Sequence, residues 1–113
     1  MHADARKLLW DALQAAERVA RFTCSKTFDD YLADELLRSG VERQLAIVGE
    51  ALARLRRIDP ATADSIHALP RVIGFRNVLV HAYTSVDSRI VRGVVQADLE
   101  PLRRSLAALL AQP

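Results

Sequence analysis

Apolar positions recur along this chain at steps of three and four. Leu9, Leu13 with Ala12, Ala16, and Ala20 with Val19 fall at helical spacing between Asp4 and Phe22, which predicts an amphipathic first helix. Thr23-Cys24-Ser25-Lys26 breaks the pattern. Thr27, followed three residues later by Asp30, has the form of a capping box, so a second helix is expected from Phe28. It carries Phe28, Tyr31, Leu32, Leu36 and Leu37 on one side. At Ser39-Gly40 the pattern falters and Ser39 with Glu42 offers a fresh cap, which predicts a kink or short break.

Beyond it, Val41, Leu45, Val48, Leu52 and Leu55 step by four, three, four and three, the core seam of a tightly packed helix pair. Glu42, Arg43, Gln44 and Glu50 fall on or beside other faces, as solvated ion pairs would. Asp59-Pro60 is a cap followed by a first-turn proline, so a short helix is expected over Ala61 to His67, with His67 at the surface or a helix end. Leu69-Pro70 opens another helix on the same grounds.

After it, Thr84 to Ser88 reads as a turn. Ile90, Val91, Val94 and Val95 are β-branched, but their spacing is helical, and a helix interrupted near Gly93 or Ala97 is expected. Asp98 then caps a final helix holding Leu99, Leu102, Leu106, Leu109 and Leu110, with Pro101 in its first turn. The chain therefore reads as all-α, a bundle of five to six helices, in one domain over residues 1–113.

Length and composition agree with a globular domain. The 113 residues can bury one core without help from metal or disulfide, half are apolar, and 27% are charged. The one cysteine, Cys24, has no partner for an intramolecular disulfide, and His2, His67 and His81 show no zinc spacing. With neither an apolar leader at the N-terminus nor an apolar run of membrane-spanning length, a cytoplasmic protein is expected. The net charge is only +2, but fourteen arginines stand against two lysines, a bias compatible with phosphate recognition and equally with surface ion pairing.

Chemistry concentrates in Gly74-Phe75-Arg76-Asn77-Val78-Leu79-Val80-His81-Ala82-Tyr83, which places a phosphate-binding cation beside a titratable imidazole. On a helical wheel Val72, Phe75, Val78, Leu79 and Ala82 form a core-facing stripe. Ile73, Arg76, Asn77, Val80 and His81 fall on the other side, a half-apolar, half-functional face of the kind that a second subunit or a ligand covers. The scattered glycines form neither a P-loop nor a dinucleotide fingerprint, and the carboxylates form no metal cluster, so no cofactor and no metal are expected.

An arginine and a histidine suffice for one reaction. RNA carries its own nucleophile in the 2′-OH, so cleavage needs a group to move protons and a cation to stabilise the phosphorane. His81 can serve as acid or base near neutral pH. Arg76 can hold the scissile phosphate bidentately, while Asn77 can orient His81 or donate to a phosphate oxygen.

Arg76-Asn77-Val78-Leu79-Val80-His81-Ala82-Tyr83 resembles the Arg-x4-His-x-Tyr signature of the HepT-like branch of the HEPN domains. The blocks Thr27-Phe28 to Leu37, Val41 to Leu52, and Ile73-Gly74-Phe75 are similar to that family's in order and spacing. The resemblance implies a HEPN-type bundle that dimerises with the two motifs facing each other, and the mixed face read from the wheel, with Ile73 and Val80 beside Arg76 and His81, agrees independently with such a seam. It implies a metal-independent endoribonuclease with RNA as substrate, the toxin of a type VII toxin–antitoxin pair. The partner it implies is an MntA-like minimal nucleotidyltransferase antitoxin. Carried over by position, Arg76 and His81 are the catalytic pair, Asn77 a supporting residue, and Tyr83 the acceptor of AMP from that partner. Ala82 and Thr84 depart from the acidic and aromatic residues common at those positions. A competing reading is a non-catalytic subunit that docks a nucleotidyltransferase and uses Arg76 to hold a nucleotide or phosphate.

Overall fold

A computed structural model of the protein describes residues 1–81 and 86–113. Among the described residues there are six helices and no strands: α1 (Ala3–Thr23), α2 (Phe28–Ala33), α3 (Glu35–Ile58), α4 (Pro60–Asp64), α5 (Leu69–Val80) and α6 (Ser88–Leu110). The protein is all-α, as the periodicity predicts.

The long helix α3 is the centre of the arrangement, with α1 along one side and α5, α4 and α2 against it; α6 packs on α1. The smallest extent is 19 Å, about two helix diameters. The seam expected on α3 is the core itself, since Val41, Val48, Leu52 and Leu55 are fully buried and Leu45 nearly so. Leu9, Ala12, Ala16 and Val19 of α1 meet it. Small residues at those positions allow the two helices to approach closely.

The capping box forms as read. The Thr27 hydroxyl accepts from the Asp30 N–H at 3.0 Å, and the Asp30 carboxylate accepts from the Thr27 N–H at 2.9 Å. The break expected at Ser39-Gly40 instead falls at Asp34, whose carboxylate accepts from the Leu37 N–H at 3.0 Å and starts α3 five residues earlier. Ser39 and Gly40 then lie inside a helix that buries one face for most of its length, and packing outweighs the roughly 1 kcal/mol cost of an interior glycine. Leu32 and Leu36, expected to be covered, are exposed, Leu36 at 83%.

α6 also differs from expectation. It runs unbroken past Gly93, Ala97 and Asp98, and it contains Pro101, which removes one backbone bond without ending the helix. Val91, Leu99, Leu102, Leu106 and Leu109 are buried along it, and that apolar face holds the helix through the defect.

Asp98 is not a cap. It is 2% exposed, and its carboxylate accepts from Arg71 Nε at 3.0 Å and from Arg71 Nη2, with His67 Nε2 at 3.2 Å. The expected surface or helix-end histidine thus belongs, with Arg71, to a cluster tying the start of α5 to α6. Hydrogen bonding from Arg71 holds the Asp98 carboxyl below the usual carboxylate range, against burial, which pushes it up.

Candidate active site

α5 begins after Ala68, which sits in the left-handed region at φ 52°, and Pro70 occupies its first turn. Twelve residues later the helix ends at Val80, and His81 is its C-cap. The His81 N–H donates to the Asn77 carbonyl at 3.1 Å, and its side chain is exposed at the helix end. His81 therefore marks the close of the motif helix rather than lying within it.

Arg76 is held from three directions. Its Nη2 lies 2.5 Å from Glu50 Oε2 on α3, and its Nη1 donates to Asn77 Oδ1 at 3.3 Å. Its stem crosses α3 at Gly49, where an added Cβ would lie 2.3 Å from Arg76 Cβ and 3.0 Å from Cγ. Only a residue without a side chain fits there, so Gly49 sets how closely α5 carries Arg76 against α3. The Arg76 Nε is buried with no hydrogen-bond partner among the described residues. The Asn77 side-chain oxygen accepts from the Arg76 guanidinium, and its backbone carbonyl accepts from the His81 N–H.

Among the described residues no hydrogen bond joins Arg76 to His81. Arg76 lies in the last turns of α5, and His81 caps its end. Tyr83, with Ala82 and Thr84, lies outside the described residues.

The wheel misplaces two positions. Ile73, expected on the seam, is 7% exposed within its own chain and belongs to the core with Val72 and Phe75. Val78, expected in the core, is 49% exposed, and Val80 is 54% exposed. The reason is that α5 packs on α3 at its start and departs from the core toward its end, so the buried stripe is wide at Leu69–Phe75 and gone by Val80.

Arg76 and Val80 open onto a groove of about 460 Å³ between α1, α3 and α5, whose walls include Trp10, Arg18, Arg43 and Arg54. A second cavity, about 420 Å³, lies between α2 and α6. Tyr31 borders it, with a hydroxyl that is buried, unpartnered among the described residues, and pushed up to about 12 by burial. That phenol stays protonated near neutral pH. No described helix is long and apolar enough to cross a membrane.

Gly49, Glu50, Trp10 and the groove arginines were not singled out as functional from sequence. The available signal was the spacing of Arg43, Glu50 and Arg54, which places them on one stripe of α3 beside its buried face.

A family model described as Ribonuclease HepT-like matches residues 12–109. A candidate RNase of Methanocaldococcus jannaschii is 27% identical over 105 residues, covering 91% of this chain and 94% of the relative. The "Probable ribonuclease HepT" of Thermococcus cleftensis is 32% identical over 98 residues, covering 84% and 86%. A candidate RNase of Caldanaerobacter subterraneus is 26% identical over 105 residues, covering 93% of each. No solved structure matches the chain at a significant level.

Proposed function

The chain belongs to the HepT-like ribonuclease family, and on that premise we propose that it is an endoribonuclease whose reaction is carried by Arg76 and His81. The observation that supports this most directly is the contrast between the two side chains. Arg76 is positioned by Glu50, Asn77 and the missing side chain of Gly49, while His81 is exposed at the adjoining helix end.

In this reading the Arg76 guanidinium holds the non-bridging oxygens of the scissile phosphate. An imidazole removes the proton from the 2′-OH, the 2′-oxygen bonds to phosphorus, and the bond to the 5′-oxygen breaks. The leaving oxygen takes a proton from a second acid. The products are a 2′,3′-cyclic phosphate and a 5′-hydroxyl. One His81 cannot be base and acid in the same step, so a homodimer with its two motifs facing each other completes the site. Val80, exposed beside Arg76, belongs to the seam, and Ile73 is withdrawn from it because its own chain covers it.

The reading extends to regulation. The protein acts as the toxin of a type VII toxin–antitoxin pair, silenced when an MntA-like nucleotidyltransferase transfers AMP to Tyr83. A gain in mass of one AMP on wild-type protein, absent from Tyr83→Phe, tests that step.

The test of the enzyme itself is cleavage of a mixed RNA pool, in EDTA, by purified wild type and His81→Ala, with folding checked by circular dichroism. Cleavage by the wild type alone supports the reading. No cleavage by either folded protein favours the competing role of a phosphate-holding subunit.

A further inference from the structure

The groove that opens at Arg76 runs between α1 and α3, and its charge is unbalanced. Glu50 is engaged by Arg76, and Asp11 lies 2.5 Å from Lys7 Nζ. Arg18, Arg43 and Arg54 have no carboxylate partner among the described residues, and Arg18 reaches only the Gln44 side-chain oxygen, at 3.4 Å. Trp10, on the α1 side, is 51% exposed, with the Lys7 ammonium 5.7 Å from its ring centroid. A large aromatic left half in water beside three uncompensated guanidinium groups suits a chain of phosphates and bases better than an apolar partner.

The dimensions fit. Arg43 and Arg54 are eleven residues apart on α3, about 16 Å along the helix, or roughly five stacked nucleotides.

We propose that this groove is the binding track for single-stranded RNA leading to Arg76, with Arg18, Arg43 and Arg54 on phosphates spread over roughly five nucleotides and Trp10 stacked on a base. The track rests on the reading of Arg76 and His81 as an RNA-cleaving site, and it adds residues outside the motif that set affinity and reach. It predicts a preference for single strands, because a paired base offers no free face to Trp10.

Trp10 is the protein's only tryptophan, so its emission reports on the groove without labelling. A short single-stranded 2′-O-methyl RNA, which has no free 2′-OH to be cleaved through, is titrated into the wild type. The expected result is saturable quenching, with affinity falling with salt at a log–log slope of about −2.8 for four arginine–phosphate contacts, Arg76 included. Arg43→Ala with Arg54→Ala flattens that slope by about 1.4. Trp10→Ala, followed by anisotropy of a labelled oligonucleotide, weakens binding roughly 5- to 100-fold without changing the circular dichroism.

Binding with undisturbed Trp10 emission and unaltered variants overturns the track and leaves the cleavage site standing. Emission that changes with protein concentration but not with RNA also overturns it, because a second copy then covers the groove. Absence of oligonucleotide binding overturns the track too, and cleavage of unmodified RNA then decides whether the Arg76–His81 reading falls with it.

Discussion

Gly49 and Arg76 meet so closely that a methyl group on Gly49 would stand 2.3 Å from the Cβ of Arg76. The contact is with the root of the arginine side chain, which cannot swing aside as its tip could. Gly49→Ala must therefore push α5 off α3, at a cost of about 1 to 3 kcal/mol. It also moves the guanidinium, and displacement on the order of 1 Å costs about 100-fold in rate. Thermal unfolding and steady-state kinetics on the same variant check both effects.

Glu50 acts through Arg76. The pair is partly exposed, with side chains 31% and 49% accessible, so its loss changes stability by no more than about 1 kcal/mol. Its effect is on orientation. Glu50→Gln lowers kcat about 10- to 100-fold with a much smaller change in KM, since substrate still finds the positive groove. Loss of stability without that split shows a merely structural pair.

Much of the fold was legible in the sequence because most helices bury a regular stripe and carry recognisable caps, Thr27 and Asp59 among them. The errors share one cause: local signals yielded to tertiary contacts that only the fold supplies. Asp98 looks like a cap in sequence, and becomes a buried anion because Arg71 and His67 arrive from elsewhere. Ile73 and Val78 exchange roles because α5 leaves the core toward its end. Likewise the motif points to Arg76 and His81 as candidates, but not to Gly49 and Glu50, whose relation to Arg76 exists only where α3 crosses α5.

The Asp98 cluster gives the protein a defined acid response. Its carboxyl titrates below its unfolded value, so its stabilisation is complete above about pH 4 and is lost as pH falls through the lowered folded value. Arg71→Ala removes the main cause of that lowering and leaves burial to push the carboxyl up. The acid unfolding midpoint of Arg71→Ala moves to higher pH, as circular dichroism through an acid titration can read. An unmoved midpoint contradicts the role given to Arg71.

Two apolar residues of α5 separate folding from assembly. Ile73→Asp places a charge in the core and costs about 3 to 5 kcal/mol, read as a large fall in unfolding midpoint. Val80→Asp changes the stability of the isolated chain by no more than about 0.5 kcal/mol, as exposed positions do, and shifts sedimentation toward monomer, so any fall in its unfolding midpoint depends on protein concentration. Wild-type sedimentation of a folded Val80→Asp variant contradicts the seam.

In the proposed reaction Arg76 and His81 cleave RNA through its own 2′-OH. The most direct measurement uses an RNA of known cleavage site, intact or carrying a single 2′-deoxy nucleotide on the 5′ side of the scissile phosphate, with the ends of the products identified by mass. The expected result is a 2′,3′-cyclic phosphate, or its hydrolysed form, opposite a 5′-hydroxyl, and no cleavage at the deoxy position. Cleavage that ignores the deoxy substitution and leaves a 3′-hydroxyl opposite a 5′-phosphate would contradict it.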